Sequence, residues 1–285
     1  MRGAPRTMTV LRPRSAAAAA ALYAENPRAA PLAGGTDFMV LWNMGDLNGR
    51  TILDLSAVKE WRAIRKTAAG LSVGALVTHA ELQADPVVRR EFPLLAQAAG
   101  VVGAAQIQNR GTLGGNIANA SPAGDTFPAL AVYEATVVAV SRKGQRGIPF
   151  CDVFAGVKKT NLESAELIAA VDIPYLSRRP HRRLFRKVGT RASMAISKTV
   201  AAGLLWLERD RTVRELRFAL GSMAPTVRRL KAVEGFVKGK RLTTEAAAHA
   251  CALVRQDVSP IDDFRSTAEY RLRVSQNLLQ AFLLG

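Results

Sequence analysis

Two short glycine-rich stretches carry residues suited to holding phosphate. In PLAGGTD, Pro31 to Asp37, the side-chain-free Gly34 and Gly35 let backbone NH groups approach an anion closely. Thr36 adds a hydroxyl donor. Asp37 would repel phosphate, so its carboxylate suits a helix cap or backbone amides instead. Taken alone, this run also fits an ordinary turn. The second stretch, NRGTLGGNIANASPAGDTFPAL, Asn109 to Leu130, is richer. Gly111, Gly114 and Gly115 permit close approach. Thr112, Asn116, Asn119 and Ser121 offer hydroxyls and amides for phosphate or ribose oxygens, and Asp125 could accept from ribose hydroxyls. On its own it fits a polar loop with a tight turn equally well.

Neither stretch has the GxGxxG pattern of a Rossmann site or the GxxxxGK[ST] pattern of a P-loop. Two phosphate-suited loops about 75 residues apart suggest a long ligand held between two lobes. Cys151 and Cys251 match no zinc or iron–sulfur spacing, so redox chemistry would need an organic cofactor, and both read as structural. His79, His181 and His249 lack ligand spacing and read as packing or surface residues. No catalytic residue and no metal ligand is expected.

The elements around these loops follow from periodicity. The 285 residues and 48% hydrophobic content allow two or three packed units. Arg2, Arg6, Arg12 and Arg14 before the Ala16 to Ala21 run imitate a signal peptide. A surface helix capped by Ser15 is the better reading. Thr51 to Leu55 and Leu71 to Val77 read as strands, and Ala80 to Ala84 and Val87 to Ala99 as helices. Ala135 to Val140 and Glu166 to Ile173 read as buried strands. Tyr175 to Arg183 reads as a linker. Beyond it, Met194 to Glu208 and Val213 to Leu220 read as an antiparallel pair, and Pro225 to Val237 and Thr243 to Val254 as helices. Ala268, Leu272, Ser275, Leu279 and Phe282 mark one face of a C-terminal helix.

The net charge of +17 is compatible with nucleic acid, a membrane surface or an acidic partner. No nucleic-acid motif accompanies it, and no stretch reaches the roughly 20 apolar residues of a membrane span.

Together, AGGTD and TLGGNIANASPAGD resemble the two flavin loops of the FAD-binding subunit of the xanthine dehydrogenase and carbon monoxide dehydrogenase family of molybdenum hydroxylases. FRKVGTRASMAISK (Phe185 to Lys198), ALGSMAPTVRR (Ala219 to Arg229) and SPIDDFRSTAEYR (Ser259 to Arg271) resemble that family's C-terminal signatures, so the likeness spans nearly the whole chain. It implies an α+β fold: an FAD-binding domain of the vanillyl-alcohol-oxidase-like (PCMH) type over 1–176, with subdomains at about 1–56 and 57–176. A smaller antiparallel-sheet and helix domain follows over 182–285.

By the same resemblance, Ala33, Gly34, Gly35, Thr36 and Asp37, with Thr112, Gly114, Gly115 and Asn116, would bind the FAD pyrophosphate and its surroundings. Asn119, Ser121 and Asp125 occupy further contact positions, Ile168 one that contributes a backbone contact, and Lys187 that of a lysine near the isoalloxazine ring. A cation there would stabilise the charge that accumulates on the reduced ring, so its loss should move the redox potential more than FAD retention. The implied partners are a 2Fe-2S subunit and a molybdenum-cofactor subunit in a cytoplasmic dimer of heterotrimers. The chain would be an electron-transfer component, inactive alone on the organic substrate; a freestanding FAD oxidoreductase of related fold is the alternative. No motif selects among NAD, a quinone, a protein carrier and oxygen as acceptor, and the substrate choice would lie in the molybdenum subunit.

Overall fold

The computed structural model describes residues 3–285; Arg2 lies outside the described residues. A small parallel sheet comes first, with Thr9–Leu11 and Ala30–Leu32 flanking Thr51–Asp54. The alanine-rich helix Ala16–Glu25 buries Ala19 and Ala20, Ala19 joining a core with Leu11 and Leu53 of this sheet, and Ser15 Oγ accepts from Ala18 N at 3.2 Å as its N-cap. Alanine both favours the helix and lets it lie close to the strands.

A five-stranded antiparallel sheet follows, in the order Ile64–Lys66, Gly70–Gly74, Leu167–Pro174, Thr136–Ser141, Gly144–Pro149. Its apolar residues Leu71, Val73, Val137, Ala139, Val171 and Ile173 join a core built by the helices between residues 79 and 132. The first of these, His79–Ala84, begins with a reciprocal capping box between Thr78 and Glu81.

The third sheet orders Arg182–Val188, Thr199–Leu207, Val213–Gly221 and Arg228–Arg229, all antiparallel. Thr199–Leu207 is a nearly unbroken apolar run because both faces of this sheet are covered. Ala202, Leu204, Trp206 and Ala219 pack into the preceding domain. Ala201, Leu205, Phe218 and Leu220 meet the helices Lys231–Val237, Thr244–Asp257 and Ala268–Leu284. Arg229, paired with Glu234 at 2.6 Å within the C-terminal domain, links across the junction by donating to Ala131 O at 3.1 Å.

Several sequence expectations are corrected. Val87 to Ala99 is two helices, Pro86–Glu91 and Pro93–Ala99, because Pro93 cannot supply the next NH and Phe92 leaves the helical region at φ −125°. The strand expected from Met194 begins only at Thr199, with Met194 itself in a left-handed turn at φ 52°. Pro225 to Val237 is helical only from Lys231, since Arg228–Arg229 pairs with the edge of the sheet. The linker from Tyr175 runs into the strand Arg182–Val188, whose basic, half-buried pattern hid it from the periodicity. Gly144–Pro149 and the helix Phe38–Met44 were likewise unanticipated.

Candidate cofactor cavity

The first glycine-rich stretch follows the small parallel sheet, the second lies among the helices packed on the five-stranded sheet, and the two meet. Loop 33–37 follows the parallel strand Ala30–Leu32, while Thr112 opens the short helix Leu113–Ala118, its Oγ1 accepting from Gly115 N at 3.0 Å. Contact between the loops is so close that a Cβ on Gly34 would lie 1.8 Å from Arg110 O. One on Gly114 would lie 2.5 Å from the Ala75 Cβ. Glycine at 34 is therefore a steric requirement of bringing the lobes together, and glycine at 114 of seating the second loop against Ala75 within its own lobe.

Between the lobes lies a cavity of about 500 Å³, within the range of small-molecule and cofactor sites. Ala33, Gly34, Gly35, Thr36 and Asp37 line it from one side. Thr112, Gly114, Gly115, Asn116 and Asn119 line it from the other, with Ile168 from the strand Leu167–Pro174. The NH groups of Gly34, Gly35, Thr36 and Asp37 have no acceptor among the described residues. Unpaired, adjacent donors of this kind form an anion-binding concavity. Asp37, considered as a helix cap, makes no side-chain cap bond.

Cations are missing from the lining: no Lys or Arg appears among its described residues. Asp37, Glu163 and Glu166 are its acids, and Glu166 is satisfied by Arg146 at 2.7 and 2.8 Å. These hydrogen bonds hold its carboxyl below the usual carboxylate range. An anionic ligand here would be held chiefly by backbone NH groups and hydroxyls. Apolar walls from Tyr23, Leu55, Val102, Ile107 and Leu167 suit flat, uncharged ring systems at either side.

Three residues singled out from the sequence stand apart from this lining. Ser121 Oγ accepts from Ala123 N at 3.3 Å, bracing its own loop. Asp125 and Lys187 form an ion pair at 2.7 Å, and Lys187 Nζ also donates to Val101 O at 2.9 Å. Since Val102 lines the cavity, the pair adjoins its wall. Burial pushes the Asp125 carboxyl up to about 6, opposed by the charge and hydrogen bond of Lys187. The lysine is thus half of an ion pair, and the field it projects depends on the state of its partner.

Sequence reasoning passed over His79, which read as a packing or surface residue. It lines the cavity, is 1% exposed, and its Nδ1 has no hydrogen-bond partner. Burial pushes its imidazole down to about 4, so the ring is neutral near pH 7. The Thr78–Glu81 capping box was a legible signal for a helix start here, but nothing local signalled that His79 would face a cavity. Thr160, in the hairpin of Phe154–Gly156 and Lys159–Thr160, and Leu162 just after it were also missed as lining residues.

Comparison with known proteins places this architecture. A family model described as the FAD binding domain in molybdopterin dehydrogenase matches residues 6–176, and one for the CO dehydrogenase flavoprotein C-terminal domain matches residues 184–285. The chain is 29% identical to the carbon monoxide dehydrogenase medium chain of Hydrogenophaga pseudoflava, over 95% of this chain and 94% of that one. It is 31% identical to a xanthine dehydrogenase FAD-binding subunit of Escherichia coli O157:H7, covering 90% and 88%. Among solved structures, a carbon monoxide dehydrogenase from Hydrogenophaga pseudoflava superposes with a TM-score of 0.91 at 27% identity, over 97% of this chain and 96% of that one. With the two-lobed cavity, its unpaired NH groups and family matches over both domains, the chain belongs to the FAD-binding subunits of the xanthine dehydrogenase and carbon monoxide dehydrogenase family, an oxidoreductase component whose cofactor is FAD.

Proposed function

We propose that this chain is the flavin relay of a heteromeric molybdenum hydroxylase, collecting electrons from a 2Fe-2S subunit and delivering them to an external acceptor. Bound FAD supplies a centre that can take up electrons singly and release them as a pair. The observation that carries this reading is the run of four NH groups, Gly34 to Asp37, with no acceptor among the described residues, in a loop that lines a cavity opposite the second glycine-rich loop, a cavity with no Lys or Arg among its described lining residues. Those amides would hold the pyrophosphate, joined by Thr36, Thr112, Gly114, Gly115 and Asn116, with Ala33 beside them. Asn119 and Ile168 would flank the cofactor, Ser121 would brace the loop, and the Asp125–Lys187 pair would set the charge beside the flavin.

Among the described residues, no group of three or more His, Cys, Asp or Glu side chains could hold a metal. In this reading the iron and molybdenum sites belong to partner chains, assembled as a cytoplasmic dimer of heterotrimers. No helix among the described residues is long and apolar enough to cross a membrane. The domain division we propose is 1–56, 57–176 and 182–285, each part containing one of the three main sheets. Exposed Arg178, Arg179 and Arg183 supply a basic surface for sister subunits, whereas Arg182 is committed internally to Phe282 O and Leu283 O.

An absorbance spectrum of the purified chain incubated with FAD, followed by denaturation and identification of released flavin, tests the reading. Stoichiometric FAD is expected, with iron–sulfur absorbance appearing only when partner chains copurify. Turnover of an organic substrate by the flavin-loaded chain alone would favour a freestanding oxidoreductase.

A further inference from the structure

We propose that His79 is a cofactor-binding residue, its imidazole donating a hydrogen bond from Nε2 to a pyrophosphate oxygen of FAD where the two glycine-rich loops meet. The proposal rests on the reading that the cavity holds FAD.

Geometry directs the ring toward that junction. His79 N donates to Gly111 O at 3.0 Å, which fixes the start of its helix against the second loop. A Cβ placed on Gly111 would lie 3.3 Å from His79 Cδ2 and 3.4 Å from Thr36 Oγ1. The imidazole edge and the Thr36 hydroxyl therefore approach the same glycine, one from each lobe. Thr36 belongs to the loop whose NH groups are unpaired, so an anion received by those amides comes within reach of His79.

The ring's own bonding points the same way. Nδ1 is sealed and unpartnered, and no described residue bonds to Nε2, the neighbour of Cδ2. A buried Nδ1 without a partner is unfavourable. A core that merely needed the ring's volume would be served better by Phe or Leu. In the tautomer with the proton on Nε2, the ring offers a donor to an oxyanion and leaves only one lone pair unpaired. Burial keeps it uncharged, so a ligand-free cavity contains no isolated buried cation. A neutral donor also explains how a cavity with no Lys or Arg among its described lining residues can recognise a pyrophosphate.

The test uses the refolding-independent signal of the ring as well as affinity. The chain has three histidines, so ¹⁵N-histidine labelling gives a spectrum simple enough to assign by comparing wild type with His79→Phe. Titration with FAD should move the His79 Nε2 resonance, and titration with ADP, which carries the pyrophosphate without the flavin, should move it likewise. Riboflavin should leave it unchanged. By calorimetry, His79→Phe should weaken both FAD and ADP about tenfold, the cost of one charge-assisted hydrogen bond. The ligand-free variant should melt no lower than wild type at pH 7, because it loses an unsatisfied buried group. His79→Asn, which retains a donor, should recover part of the affinity. An unmoved His79 resonance at saturating FAD, or equal FAD and ADP affinities in wild type and His79→Phe, overturns the proposal. If wild type takes up no FAD at all, the cofactor reading fails first and the proposal falls with it.

Discussion

Removing either of two buried titrating groups should tilt the pH dependence of stability, in opposite directions. In the ligand-free protein Asp125 keeps its proton up to about 6, whereas an ordinary Asp releases it near 3.8. Between these values the native state binds more protons than the unfolded state, so the Asp125 contribution to stability falls as pH rises. The penalty is absent below about 3.8 and complete above about 6. His79 behaves inversely: its native ring resists protonation down to about 4, whereas the unfolded side chain takes a proton near 6.5. Its penalty is absent above 6.5 and complete below about 4. At ~1.4 kcal/mol per pH unit of displacement, each contribution spans about 3 kcal/mol, and in wild type the two largely offset one another. The stability difference, wild type minus Asp125→Asn, should therefore fall by about 3 kcal/mol from pH 4 to 6.5. The difference from His79→Phe should rise by a similar amount. Carboxylates common to all three proteins, such as Asp263 held down at about 2, cancel in these differences. Urea unfolding at half-unit pH steps, followed by both far-UV circular dichroism and tryptophan fluorescence, supplies the measurement, with coincident transitions licensing the free energies. Parallel stability profiles for the three proteins would refute the assignment of buried, displaced titrations to these residues.

Other outcomes follow from the same geometry. Gly34→Ala puts a methyl group 1.8 Å from Arg110 O and should prise the loops apart. FAD affinity should drop at least tenfold in a fluorescence titration; unchanged affinity would mean that the loops separate freely. Lys187→Met should lower the flavin reduction potential by on the order of 30 mV, equivalent to about 1.4 kcal/mol for two electrons, at full FAD occupancy. The shift should shrink in Lys187→Met/Asp125→Asn, because the second change removes the opposing charge; spectroelectrochemistry would read both. Reversing charge at Arg178, Arg179 and Arg183 should weaken copurification of the sister subunits, most at low salt, while leaving flavin content unaltered. Assembly indifferent to these changes would remove this surface from the docking interface.

The sequence by itself displayed the two glycine-rich loops, the family signatures and most of the regular elements. These signals are local: a capped alanine helix at Ser15, an aliphatic run over Ala135 to Val140, and a four-and-three spacing along Ala268–Leu284. Where a local competitor intervened, periodicity misled, as at Pro93 within an apolar run and at Arg182–Val188, where basic side chains masked a strand. Tertiary structure alone decided how the loops are used. It brings Gly34 against Arg110 and leaves four consecutive NH groups unpaired. It also turns Lys187 from a lone cation into the partner of Asp125. His79 shows the division most plainly, since helical spacing can say where its helix begins but not which lobe will close over it. Burial, desolvation and hydrogen-bond satisfaction depend on atoms from distant parts of the chain, and those distances exist only once the two lobes have packed together.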